Sequence, residues 1–210
     1  MPVSALEEYQ QILIEIDDIR TRMEGMRTNN QLTDKDIETV YESLFLRAVV
    51  GFEQFCESQF FDILKGDVRY ALADVERHVK QCEYSALHAI VMQDDDYLDW
   101  LPFPRSESRS KLFFRNGHPF TNLDDGERSK IKMCLLIRHA ISHASDHARG
   151  EFERVVIGNQ PLLPAERTPA GYLRSQVRGQ ARFETHTAQL SAIAAKIYGK
   201  PHWRRQTRSR

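Results

Sequence analysis

The chain has 210 residues, of which 41% are hydrophobic and 28% charged, and its formal net charge at pH 7 is −1. This length can bury one substantial core, and the composition is that of a globular domain. The near-zero net charge argues against a protein that binds polyanions over its whole surface, so any affinity for nucleic acid must be local. The chain has no run of about 18 apolar residues and no signal-peptide pattern, which predicts a cytoplasmic protein.

Charge is distributed unevenly along the chain. Residues 165–210 contain ten basic and two acidic residues, a net charge of +8, so the preceding part carries −9. A basic end on an acidic body indicates a region that faces a polyanion, although a solvated tail that only balances charge fits equally well.

Cys56, Cys82 and Cys134 lack the spacing of a metal site or a disulfide framework, and we expect them to be core residues in a reducing compartment.

Helical patterns fill the first third of the chain. Ser4 and Glu7 form a capping box, and apolar residues then recur at intervals of three and four as far as Met23. Thr33 and the acidic residues after it predict a second helix, denser in apolar side chains, that ends near Gly66. We expect this second helix to be the central one.

The middle of the chain is less regular. A helix is predicted through residues 75–92, followed by an insertion over about 94–120 that opens with the acidic and aromatic run Asp94–Pro104. A further helix, capped near Asp124, is expected to end between Ala148 and Gly150.

The C-terminal part combines proline- and glycine-rich sequence with one more helical pattern. Residues 151–157 fit either a strand or a helix, an irregular loop is predicted over about 158–177, and a last helix over 178–198. The predicted fold class is therefore all-α, an antiparallel bundle of about four to six helices. It forms one domain over residues 1–198, followed by a basic tail over 199–210.

The stretch Ile137–His143 is the most informative motif. It contains Arg138, His139, Ser142 and His143, and arginine and histidine together suit phosphoryl chemistry without a metal. On a regular helix Arg138 and His143 differ by about 140° in azimuth and about 7.5 Å in height, so a loosened helix end would help them share a site.

Two other interpretations of this motif stay open. Arg138 could cap backbone carbonyls or pair with an acid while the histidines only complement the dipole of a helix C-terminus. Alternatively, His139 and His143 lie four residues apart on nearly one face, with His147 a turn further on, and could ligate zinc or iron with Glu53, Glu57 or Asp146. The sequence offers no second ligand motif for such a metal.

The Arg-x-x-x-x-His spacing of Arg138 and His143 resembles the signature of HEPN domains, and the stretch Leu46–Phe55, which contains Glu53, looks like the central helix of their free-standing prokaryotic members. The resemblance implies a metal-independent endoribonuclease without cofactor, whose active site is built from two protomers of a homodimer. It makes Arg138 and His143 catalytic, with His139 and Ser142 in support. Glu53 is a further supporting candidate that could hold His139 or Arg138, although a structural salt bridge fits it equally well. The resemblance further implies a toxin–antitoxin, antiphage or stress-response setting, with an antitoxin or other regulatory protein as a possible partner.

RNA contacts are expected at Arg174, which lies beside Tyr172, and in the tail at Trp203, Arg204 and Arg205, where cations accompany an aromatic ring. Tyr172 could instead pack on the bundle, and the tail could be inert. The alternative function is a non-catalytic helical scaffold that binds RNA, a nucleotide or a protein. A metal-dependent enzyme that uses the two histidines is a third.

Overall fold

A computed structural model describes residues 3–66, 75–78, 83–93, 97–143 and 145–199. Within these ranges the chain is almost entirely helical, which confirms the all-α class. The α-helices are α1 (Ala5–Thr28), α2 (Asp34–Lys65), α3 (Tyr84–Met92), α4 (Phe103–Phe113), α5 (Asp125–Ser142), α6 (Asp146–Glu151), α7 (Pro169–Arg174) and α8 (Arg182–Tyr198). Strands β1 (Gln176–Val177) and β2 (Gln180–Ala181) form an antiparallel hairpin. Short 3-10 or π-helical turns cover Arg115–Gly117, Phe120–Asn122, Phe152–Ile157 and Pro164–Arg167.

Three of the helix starts that the sequence predicts are confirmed. Ser4, Thr33 and Asp124 each cap a helix, and each is bonded reciprocally to the residue three positions later, as in a capping box. The central helix α2 ends where predicted, at Gly66, whose φ of +86° is a conformation that glycine adopts without steric cost.

The core is organised around α2, which packs against α1, α5, α7 and α8. Gly51 allows a close approach of α1, because a side chain there would lie 3.3 Å from the buried ring of Tyr9. Further along α2, the fully buried ring of Phe60 is surrounded by the adjacent ring on α2 and by aromatic rings from the middle of the chain. These neighbours are Phe61, Trp100, Phe113, Phe114 and Phe120.

The prediction for the middle of the chain is wrong in two places. Residues 75–78 are not helical: Arg77 instead forms a β-bridge with Phe114, and among the described residues of the predicted stretch the helix is confined to α3. The segment predicted as an insertion contains α4 and contributes buried aromatic side chains to the core, so it is an integral part of the bundle. Asp94, Asp95 and Asp96 lie outside the described residues.

The later boundaries also differ from those predicted. Helix α5 ends at Ser142, well before Ala148, and α6 is a separate helix. Residues 152–157 are helical, and the predicted loop over 158–177 contains α7. The last helix begins at Arg182, because β1 and β2 occupy the preceding residues.

The cysteines Cys56 and Cys134 are buried and free, as expected for core residues, and Cys82 lies outside the described residues. The Cys134 thiol lies 3.9 Å from Nδ1 of His186, which is also buried. Burial raises the pKa of Cys134 to about 12 and, with a smaller effect of Arg182, lowers that of His186 to about 4. Both side chains are therefore neutral at pH 7. No helix in the described ranges has the length and apolarity needed to cross a membrane.

The position of Phe60 in the aromatic cluster predicts a large loss of stability in Phe60→Ala. Removing a ring from a tightly packed core should lower the free energy of unfolding by about 3–5 kcal/mol, as judged by urea denaturation followed by circular dichroism. Leu112→Ala is the control, because this side chain is 68% exposed, and its effect should stay within about 0.5 kcal/mol. A similar loss in both variants would contradict the described packing.

Burial of neutral His186 predicts a pH-dependent stability. Between pH 6.5 and about 4 the unfolded chain binds a proton at this residue that the folded chain does not, so the free energy of unfolding should fall as the pH drops through this window. The full effect is on the order of 3 kcal/mol. Urea titrations from pH 7 to 4.5 should show a shallower pH dependence in His186→Gln than in the wild type. Equal slopes would show that His186 does not titrate in this window.

Candidate active site

The end of α5 places three of the predicted site residues together. Ser142 is the last helical residue, and His143 has an extended backbone (φ −122°, ψ 117°) while its N–H still bonds to the carbonyl of His139 at 2.9 Å. Two residues later Ser145 caps α6, its hydroxyl accepting a hydrogen bond from the N–H of Ala148. Because a new helix begins shortly after α5, the backbone of His143 leaves the helical conformation.

The imidazoles of His139 and His143 are in contact at this helix end. Their ring centroids lie 5.6 Å apart, with the planes inclined by 67°. Partial burial lowers the pKa of His139, and the neighbouring Arg138 and His143 lower it further by electrostatic repulsion of a protonated ring. His139 is consequently neutral at pH 7 and can donate or accept a hydrogen bond. It is partly buried, whereas His143 is exposed to solvent.

Arg138 is half-buried and, among the described residues, makes no ion pair or hydrogen bond. Other half-buried arginines of the described chain differ in this respect: Arg20 pairs with Glu184, and Arg128 with Glu107. A partly desolvated guanidinium without a carboxylate partner keeps its donors free for an anion. The interpretation that Arg138 pairs with an acid is not supported within the described residues.

Glu53 has a different role from the one considered in the sequence analysis. Its carboxylate is buried, and one oxygen accepts hydrogen bonds from the hydroxyl of Tyr97 and the backbone N–H groups of Trp100 and Leu101, at 3.2, 3.2 and 3.3 Å. It has no described hydrogen bond to Arg138 or His139. Glu53 therefore holds the segment from Tyr97 to Leu101 against α2.

Tyr97 is a residue of this region that the motif analysis did not single out. Partial burial and the nearby carboxylate of Glu53 raise the pKa of its phenol, which the charge of Arg138 opposes. Tyr97 is therefore protonated at neutral pH, donates to Glu53, and lies within the electrostatic influence of Arg138. In the sequence, Tyr97 stands out only as an aromatic residue that follows three aspartates. Nothing in that run indicates that the fold brings Tyr97 to Glu53 and Arg138.

Arg174 lies elsewhere and is already paired. It lines a cavity of about 430 Å³, together with Arg20, Glu24 and Arg27, and its guanidinium lies 3.3 Å from Asp34 and 4.0 Å from Glu24. Tyr172 is buried against Phe152 and His186, so the interpretation in which its ring packs on the bundle is confirmed.

The remaining predicted site residues are less informative. Ser142 is exposed at the end of α5, and Trp203, Arg204 and Arg205 lie outside the described residues, as does the tail from 200 onward. His147 belongs to α6, so the predicted continuation of the histidine row along one helix is wrong. Across the described ranges no three histidine, cysteine, aspartate or glutamate side chains cluster in a way that could hold a metal ion.

The chain matches no protein-family model, no curated protein and no solved structure.

The hydrogen bonds to Glu53 generate a prediction for Glu53→Ala. The substitution leaves the buried N–H groups of Trp100 and Leu101 without an acceptor, at a cost of about 1–3 kcal/mol for each group. Hydrogen exchange should therefore accelerate at these two amides, as measured by NMR or mass spectrometry. Glu57→Ala, one turn further along α2, is the matched control and should leave both exchange rates unchanged. Equal protection in wild type and Glu53→Ala would refute the assigned role of Glu53.

Proposed function

We propose that this protein is a metal-independent endoribonuclease of the HEPN type. The observation that carries the proposal is the group at the end of α5: Arg138, without a described partner, next to the paired imidazoles of His139 and His143. In this group Arg138 is a cation that can bind an anion, His139 is a neutral imidazole, and His143 is an imidazole exposed to solvent. It supports the chemistry that the Arg-x-x-x-x-His resemblance implies.

The proposed reaction is transesterification within the RNA chain. A neutral His143 takes the proton of a ribose 2′-hydroxyl, whose oxygen then forms a bond to the adjacent phosphorus. The bond from phosphorus to the 5′-oxygen breaks, and that oxygen receives a proton from His143 of a second copy. The products are a 2′,3′-cyclic phosphate and a 5′-hydroxyl.

The other residues act on charge and orientation. Arg138 donates paired N–H groups to the phosphate oxygens, where negative charge accumulates in the transition state. His139 lies against His143 and, because its pKa is lowered, orients that imidazole as a neutral ring rather than repelling it as a second cation. Ser142 is exposed on the last turn of α5 and is assigned to substrate orientation.

The proposed site is composite, formed by two copies of the chain. Acid and base must lie on opposite sides of the scissile phosphate, and two helix ends that meet across a twofold axis supply both. The exposure of Ser142 and His143 leaves room for such an approach.

A toxin–antitoxin, antiphage or stress-response role, with a regulatory protein as partner, follows from the resemblance alone. RNA contacts by Arg174 and by Trp203, Arg204 and Arg205 in the tail belong to the same proposal.

A direct test is cleavage of cellular RNA by purified protein in EDTA. General acid–base catalysis contributes about 10²–10⁴-fold, so His143→Ala should lose at least a hundredfold of the cleavage rate. Arg138→Ala should lose a similar factor, and Arg138→Lys should recover only part of it, because lysine is a point charge without a fork of donors.

His147→Ala is the matched control, since this exposed histidine lies on α6 outside the proposed site, and it should cleave at the wild-type rate. Circular dichroism and gel filtration check that all variants fold and dimerise. Loss of cleavage in EDTA would instead favour a metal-dependent enzyme. Folded, dimeric wild-type protein that binds RNA without cutting it would favour the scaffold.

A further inference from the structure

The ring of Tyr97 is exposed but held in place. The residue is 60% exposed, although its hydroxyl reaches the buried carboxylate of Glu53 at 3.2 Å. The polar tip is thus fixed to α2 while the body of the ring faces solvent. Isolated apolar side chains are common on protein surfaces and usually have no such attachment. The ring of Tyr97 differs, because its hydrogen bond to the buried Glu53 carboxylate gives it a defined orientation.

Arginines meet the segment that carries this ring, which itself contains Asp99 and follows three aspartates in the sequence. The carboxylate of Asp99 pairs with Arg105, and its backbone carbonyl accepts a hydrogen bond from Arg109 at 3.2 Å. The guanidinium of Arg109 also lies 4.5 Å from the centre of the Trp100 ring. Because Asp99 already pairs with Arg105, the cations available to a ligand beside the exposed ring are Arg109 and, from α5, Arg138, whose charge acts on Tyr97.

This combination is the one that proteins use for single-stranded nucleic acid. Aromatic faces stack on unpaired bases while arginines follow the backbone. A ring that is oriented in advance loses little conformational entropy when a base stacks on it.

We propose that Tyr97 is the stacking platform for an RNA base next to the phosphate that is cleaved, with Arg138 binding that phosphate. This inference rests on the proposed ribonuclease function and adds a substrate contact to it. Glu53 is then a positioning residue that acts through the Tyr97 hydroxyl. The substrate class that fits is single-stranded RNA, because a base within a duplex has no free face.

The experiment measures kcat and KM on a single-stranded RNA oligonucleotide whose cleavage position has been mapped. Tyr97→Ala removes the ring and should raise KM on the order of tenfold, while kcat stays within about twofold, because stacking acts on binding. Tyr97→Phe keeps the ring but loses the hydrogen bond that orients it, so its KM should lie between those of the wild type and Tyr97→Ala. Leu163→Ala is the control, since this side chain is 68% exposed on another part of the surface.

A modified substrate provides a readout that a structural role would not affect. Replacing the base on one side of the cleaved phosphate by an abasic ribose should raise KM for the wild type by the same factor as Tyr97→Ala. The two changes should not add when combined. If Tyr97→Ala does not fold, the Tyr97→Phe variant and the abasic substrates still decide the question.

Several outcomes would overturn the inference. Unchanged KM in Tyr97→Ala, additive effects of the two changes, or equal losses in Tyr97→Phe and Tyr97→Ala would each show that the ring does not stack on a base. Dissociation of the dimer in Tyr97→Ala would assign the ring to the contact between copies. In all these cases the wild type still cleaves RNA, whereas a wild type that cleaves no RNA overturns the proposed function as well.

Discussion

The buried carboxylate of Glu53 connects the core of this bundle to the candidate site. A carboxylate removed from water must be compensated by hydrogen bonds, and here the donors are two backbone amides and the hydroxyl of Tyr97. This requirement fixes the segment from Tyr97 to Leu101 against α2. The same segment places Trp100 in the aromatic cluster around Phe60, so core packing and the position of Tyr97 depend on one another.

The end of α5 is the second constraint on the site. Ser145 starts a new helix only three residues after Ser142, so the chain must turn at His143. The turn frees the backbone of His143 from helical geometry while its ring remains against His139. An uninterrupted helix would have separated Arg138 and His143 by about 140° around its axis, and the break removes that restriction.

Local sequence signals predicted much of the fold. The capping boxes and the glycine at residue 66 fixed helix boundaries because they act within three or four residues. The sequence patterns did not predict helix α4, because its sequence is mostly polar. The burial of Phe103 and Phe113 depends on packing against distant residues. The end of α5 was misplaced because apolar spacing continues past it, although Ser145 before Asp146 is a recognisable capping signal.

The candidate site was predictable only in part, for the same reason. Arg138, His139 and His143 are neighbours in sequence, and their spacing indicated a shared helix end. The bond from Tyr97 to Glu53 spans 44 residues, and that from Arg174 to Asp34 spans 140, so no local pattern reveals either. No local signal indicated that the fold would bring Arg174 to the carboxylates of Asp34 and Glu24.

In the reaction that we propose, the 2′-hydroxyl of RNA is the nucleophile activated at the end of α5. The chemical identity of the fragment ends tests this role, on an oligonucleotide with ribose or 2′-deoxyribose before the cleavage position. We expect 2′,3′-cyclic phosphate and 5′-hydroxyl ends, and no cleavage after the single deoxyribose. Fragments with 3′-hydroxyl and 5′-phosphate ends, or equal cleavage of both oligonucleotides, would show that the 2′-hydroxyl is not the nucleophile.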